Sequence, residues 1–352
     1  MRRLPLGRVL GRVVGRVFAG RAGAARLAAL AIAVAAFLIG GFLPPASAAP
    51  PSDAPRAELR GMVEDVTGAN AHRYGTTDSA GHSMDTAKVI QDSTGGYLAV
   101  YHTMMSDGRY HSFVATSTDL MNWTFAHDLG TGASQPTITQ ISTGGYVMAW
   151  EQDPGNHIAV RYYPDRAHLL SGSATKSYDT PRTLSSCAEG TPNIYSVTLK
   201  PDIDHAVIDI GGHYFANCDV DRQQRGTLTN FSSWTTSPQP NFDNALLYWG
   251  VAGNIGDRDA LTFRGYQFGV IEGQYTKGDF GSWRTFVYDY ATGNADTTAI
   301  HTNGGSTAFA NPGISALKAP DGKTAVLVSL FLPSEGAAPG EAGQLLYYHE
   351  YT

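Results

Sequence analysis

Cysteine, helical periodicity and long apolar runs are all scarce in this chain, and each scarcity narrows what the protein can be. Only Cys187 and Cys218 stand in 352 residues. Two thiols do not by themselves supply a structural zinc site of about four ligands. No His-x-x-x-His spacing, Gly-rich phosphate loop, nucleophile elbow or redox motif occurs. No cofactor is therefore expected, and the one metal the composition leaves room for is a calcium ion held by oxygen ligands. Apolar residues spaced as on a helix face are nearly absent, which argues against an α-helical architecture.

The one long apolar run is N-terminal, from Leu27 to Leu43. Seven arginines and no acid precede or enter it, and Pro44, Pro45 and Ala46-Ser47-Ala48 follow. A basic region, an apolar stretch and a small-x-small cleavage site are the parts of a signal peptide, expected over residues 1–48. The run is at the short limit for a membrane span, and no stop-transfer charges come after it. Arg2-Arg3 is the only trace of twin-arginine export. The expected location is extracellular, with no membrane association once the leader is removed. Removal takes seven positive charges from a net of −6, leaving −13. So acidic a chain is unsuited to nucleic acid or anionic lipid. Its aromatic residues suit neutral partners such as sugars, whose rings stack on aromatic faces. In an oxidising compartment Cys187 and Cys218 are expected to form a disulfide.

What fills the rest is short alternating or apolar runs broken by Gly, Asp, Asn and Ser turns, the pattern of strands and hairpins. They recur. MDTAKVIQDSTGGYLAVYHTM from Met84 is repeated in outline by SQPTITQISTGGYVMAWEQD from Ser134. GTPNIYSV from Gly190, RDALTFRGYQFGVIEGQ from Arg258 and NPGISALKAPDGKTAVLVSLF from Asn311 continue the series. Aligned strand starts place Asp85, Gln135, Thr191, Asp259 and Asn311 together, at the period of roughly 40–50 residues plus loops that marks propeller blades. Trp123, Trp234 and Trp283, each with Leu or Phe three residues before it, mark the outer part of a blade, and RYYPDRAHLL takes that place in the second. The expected fold is all-β, a single five-bladed β-propeller over 59–352 acting as a monomer, with 49–58 as a flexible lead-in. The fifth repeat shows about three strands, and Leu59–Val66 is the segment expected to complete it.

Inner-strand starts converge at one mouth of a propeller. Asp85 and Asp259, with Glu189 two residues before Thr191, would bring three carboxylates from three blades to one cavity. Tyr101, His102 and Trp150 end second strands near it, as candidate sugar contacts, and Glu272 is a further candidate. His82 and His213 are placed to orient a carboxylate.

These segments resemble the five-bladed propeller glycosidases of family 43 and their arabinofuranosidase, arabinanase and xylosidase relatives. HSMDTAKVI resembles the Asp-Pro segment that carries the family's general base, implying that role for Asp85. AEGTPNIY resembles its Glu-Gly-Pro general-acid segment, implying Glu189. STDLMNWTF is similar to the Ser-x-Asp-Leu-x-x-Trp element after the first blade. Thr86 replaces the proline, Thr191 is inserted before Pro192, and Glu189 falls in blade three where the family's acid is in blade four. Asp257, Asp259 and Glu272 are the blade-four alternatives, and Asp259 is assigned to tuning the acid. The resemblance implies inverting hydrolysis of arabinose- or xylose-type linkages in a poly- or oligosaccharide. The other reading is a propeller lectin. Dissimilar residues at the five inner starts favour one central site over repeated ones.

Overall fold

The computed structural model describes residues 50–352; the proposed leader lies outside the described residues. Five four-stranded antiparallel sheets form the fold. Blade one contains β2 (Asp85–Gln91), β3 (Tyr97–Met104), β4 (Tyr110–Ser117) and β5 (Thr124–Thr131), after a short strand β1 (Ala71–Arg73). Blade two contains β6 (Ala133–Gln140), β7 (Tyr146–Gln152), β8 (His157–Tyr163) and β9 (Lys176–Asp179). Blade three contains β10 (Glu189–Thr198), β11 (Val207–Ala216), β12 (Val220–Thr229) and β13 (Ser233–Pro238). Blade four contains β14 (Ile255–Phe263), β15 (Tyr266–Gln274), β16 (Trp283–Asp289) and β17 (Asn294–Thr297). Blade five contains β18 (Ala310–Lys318), β19 (Thr324–Leu332) and β20 (Gly343–Glu350). The first strands touch in turn, β2 to β6, β6 to β10, β10 to β14, β14 to β18 and β18 back to β2, so they line the centre of a closed ring. The five-bladed propeller expected from the repeats is the fold observed.

Closure differs from expectation. The fourth strand of blade five is β1, paired antiparallel with β20. Leu59–Val66 is not a strand: helix α1 (Asp53–Glu64) covers most of it and also most of the segment read as a flexible lead-in. The reason is legible afterwards. Leu59 and Val63 are spaced i, i+4 on one face of the helix, Val66 follows just past its end, and all three are fully buried in the core between blades four and five. Ring closure thus joins an N-terminal strand to C-terminal ones.

Trp123 precedes the outermost strand of blade one and Trp234 lies in that of blade three, as the motif implied. Trp283 instead opens β16, the third strand of blade four. The RYYPDRAHLL segment ends in a one-turn helix, α2 (Arg166–Leu170), whose N-cap Asp165 accepts from the His168 N–H. A third helix, α3 (Pro240–Leu247), joins blades three and four. Cys187 and Cys218 are disulfide-bonded with Cα atoms 5.6 Å apart. The bond ties the loop before β10 to the end of β11. Among the described residues no helix is long and apolar enough to cross a membrane.

Candidate active site

Each inner strand carries one extra residue near its start. The pairing register slips by one between Asp85 and Lys88, Ser134 and Thr137, Gly190 and Asn193, Ile255 and Arg258, and Ala310 and Gly313. These are β-bulges, which bend a strand and re-aim its side chains. The residue after each bulge start is Thr86, Gln135, Thr191, Gly256 or Asn311, and the four non-glycines have φ of 57°, 51°, 47° and 47°. A bulge frees a backbone N–H, and a side chain from the preceding blade's second strand takes three of them. His102 Nδ1 accepts from Gln135 at 2.8 Å. Glu151 Oε2 accepts from Thr191 at 3.2 Å. Glu272 Oε2 accepts from Asn311 at 2.5 Å. Glycine at two positions makes room: a Cβ on Gly190 would lie 2.0 Å from Glu151 Oε2, and one on Gly256 2.3 Å from Glu272 Oε1.

This ring of bulges walls a polar cavity of about 520 Å³ at the mouth of the channel. Six carboxylates line it: Asp85, Glu151, Asp153, Asp221, Asp257 and Glu272. His102, His213, Tyr110 and Asn311 add polar contacts, and Phe280 and Trp283 add aromatic ones. The Asp85 carboxyl is raised by burial, opposed by the hydroxyl of Ser83 that donates to it. Glu272 is raised to about 7 by burial, although the N–H groups of Asp257 and Asn311 both donate to it; the nearby charge of Asp221 adds to the rise. Asp257 is raised well above the usual carboxylate range by burial and then by the charge of Glu272. His102 is pushed down to about 3 by burial, so it is neutral. With its Nδ1 accepting from Gln135, its proton is on Nε2. His213 Nε2 lies 3.7 Å from Asp221 and 4.0 Å from Glu151. Among the described residues no group of three or more His, Cys, Asp or Glu side chains is arranged to hold a metal ion.

The sequence-derived candidates separate. Asp85, His102 and Glu272 line the cavity, as does His213. Glu189 does not. It is buried, and its Oε1 accepts from the backbone N–H groups of Thr183, Leu184 and Ser185. It organises the disulfide-bonded loop and turns away from the cavity. Asp259 lies four residues past its bulge start, where blades one, two, three and five have Val89, Ile138, Ile194 and Ile314. Its carboxylate sits deeper in the channel, paired with Lys88 and accepting from the Ile314 N–H at 2.9 Å. It is therefore not the equivalent of Asp85: β14 begins at Ile255, four residues before the start that residue type suggested. Tyr101 is fully buried and donates to Asp78 Oδ2 at 2.5 Å. Trp150 packs in the core of blades one and two with Arg161 over its ring. Neither lines the cavity. His82 does hold a carboxylate, that of Asp78 at 2.8 Å, away from Asp85.

Glu151 and Asp221 are residues that the sequence reading missed. The repeat contained the signal for Glu151: YLAVYHTM over YVMAWEQD sets His102 above Glu151, and the structure pairs both across from bulge starts. Asp221 had no such signal, since it comes from a third strand, β12.

No family profile matches the chain, and no curated protein matches it in sequence. Solved structures do match in fold. BT0996, in its complex with RGII, superposes with a TM-score of 0.57 at 11% identity, over 86% of this protein and 96% of that one. A thermostable family-43 glycoside hydrolase gives 0.51 at 11% identity, over 80% and 93%. An α-L-arabinofuranosidase of Podospora anserina in complex with cellotriose gives 0.50 at 12% identity, over 82% and 97%. The protein has the fold of the five-bladed propeller glycoside hydrolases.

Proposed function

We propose that this protein is an exported glycoside hydrolase that cleaves a neutral poly- or oligosaccharide with inversion. Asp85 is its general base and Glu272 its general acid. The observation that carries the reading is the opposed pair itself. A glutamate raised to about 7, and so still partly protonated at neutral pH, stands in blade four, an aspartate in blade one, and blade five or blades two and three separate them around one cavity. Inversion needs a protonated carboxyl at the leaving oxygen and an ionised one activating water on the far face, with about 6.5 to 9.5 Å between them. Adjacent residues do not provide that gap, whereas carboxyls from separate blades facing one cavity can.

In the proposed step Glu272 gives its proton to the glycosidic oxygen as the bond to the anomeric carbon breaks. Asp85 takes a proton from the water that attacks that carbon from the opposite side. Asp221 tunes the acid through like-charge repulsion. His102 offers a fixed Nε2–H donor beside Asp85. Arabinose- or xylose-type linkages are the first substrates to try, given that an arabinofuranosidase shares the fold; fold alone does not specify substrate. The disulfide supports an oxidising location.

The test is a screen of the purified protein on arabinan, arabinoxylan, xylan and galactan by release of reducing ends, with NMR of the first-formed anomer. Asp85→Asn is expected to lower turnover at least about 100-fold while saccharide binding persists. Glu272→Gln is expected to slow natural glycans far more than activated aryl glycosides, which need little protonation. Saccharide binding without any cleavage would make the protein a lectin. An equal loss on both substrate types would move the acid away from Glu272.

A further inference from the structure

On the flank between blades three and four, helix α3 presents a largely polar outer side to a surface groove. Its inner side, Phe242 and Leu246, is buried against Val251, Ile271 and Phe286. Its outer side carries Asn241, Asn244, Ala245 and Tyr248 along a groove of about 620 Å³. Those positions are i, i+3, i+4 and i+7, which a helix sets in one row about 10 Å long. The facing wall is the outer hairpin of blade four, with Thr292 and Asn294. Tyr248 is 83% exposed. Its neighbour Trp249 meets it edge-on at 5.6 Å, and Trp249 Nε1 donates to the Ala295 carbonyl at 2.7 Å, tying this aromatic step to the hairpin. Past Asn241, which also lines it, lies a smaller pocket of about 180 Å³ with Tyr195, Tyr290, Gln224 and Gln239.

The charges here cancel. Arg56 Nε pairs with Asp296 at 2.9 Å, and Arg225 is held by both oxygens of Asp209. Neither the groove nor the smaller pocket shares a lining residue with the central cavity.

We propose that this flank is a second saccharide-binding site, which holds an uncharged polysaccharide outside the catalytic cavity. The open ring of Tyr248 suits the C–H face of a sugar. The carboxamides of Asn241, Asn244 and Asn294 offer a donor and an acceptor each, the pair that adjacent hydroxyls require. With no unpaired charge in the lining, an acidic polymer gains nothing. A row of about 10 Å accommodates a short stretch of polymer rather than one sugar residue.

Native electrophoresis of the purified protein through gels containing arabinoxylan, linear arabinan or polygalacturonate tests this without requiring turnover, so a failure of the hydrolase reading leaves the result interpretable. At least one neutral polymer is expected to retard the protein, and polygalacturonate is not. Tyr248→Ala is expected to weaken the apparent affinity about tenfold, and Tyr248→Phe to restore it, with melting temperatures unchanged because the ring is exposed. Retardation of Tyr248→Ala equal to that of the parent would place all polymer binding in the central cavity and overturn the proposal. So would absence of retardation by both neutral polymers, or retardation by polygalacturonate that Tyr248→Ala removes.

Discussion

Glu189 and Glu272 are both buried glutamates in this ring, and their surroundings give them opposite tasks. Three converging N–H groups hold Oε1 of Glu189 and fix the loop around it. Glu189→Gln replaces one acceptor oxygen by a donor. It is expected to destabilise the fold by about 2 kcal/mol, seen as a lower melting temperature, with no selective loss on substrates with poor leaving groups. Glu272 is raised from an ordinary 4.5 to about 7. In the proposed role of general acid it acts when protonated, so activity should decline as pH rises through about 7. The same shift sets a stability term. Below about 4.5 both folded and unfolded forms hold the proton; between there and about 7 only the folded form does, so stability falls as pH rises and the full cost, on the order of 3 kcal/mol, remains above. Glu272→Gln mimics the neutral carboxyl. Because Gln also turns a donor toward one of the two N–H groups, the test is the pH dependence: relative to the parent it should melt higher at pH 8 than at pH 4, and an unchanged difference across that range would contradict the shift.

At the scale of the strand, the repeated bulge decides which side chains meet. One inserted residue near the start of every inner strand turns a backbone N–H toward the previous blade, and His102, Glu151 and Glu272 are recruited to it. The polar ring of the cavity is thus partly a by-product of satisfying three of the five bulges. Asp259 belongs to the strand, not to the cavity. It ties β14 to β2 through Lys88 and to β18 through Ile314. Asp259→Ala leaves the Lys88 ammonium in the channel without its partner, and removing one member of a buried pair costs about 3–5 kcal/mol. Denaturant unfolding should show a loss of that order. A shifted pH–rate profile with undiminished stability would instead return Asp259 to the role of tuning the acid.

For the whole molecule, closure of the ring rests on residues far apart in sequence. β1 completes blade five, and α1 with the residues just after it places Leu59, Val63 and Val66 in a core shared with blades four and five. A variant beginning at Ala49 retains both elements and is expected to melt cooperatively. One beginning at Thr76 exposes the edge of β20 and an apolar face, and should be insoluble or lack a cooperative transition, because unpaired edges and uncovered cores associate. Soluble yield and thermal melting of the two distinguish this.

Local sequence alone determined the propeller, its five blades and the disulfide pair. Strand periodicity and a repeat near fifty residues are properties of neighbouring residues, and each blade is a unit of four consecutive strands apart from the last. It also singled out Asp85, His102 and Glu272. The tertiary structure decided the rest, for a physical reason in each case. The exit of Glu189 from the cavity depends on three N–H groups supplied by a folded loop. The displacement of Asp259 depends on where pairing across the sheet starts β14, at Ile255, four residues before the start that residue type suggested. Asp221 reaches the cavity from a third strand, through the packing of blades three and four, which no spacing along the sequence encodes.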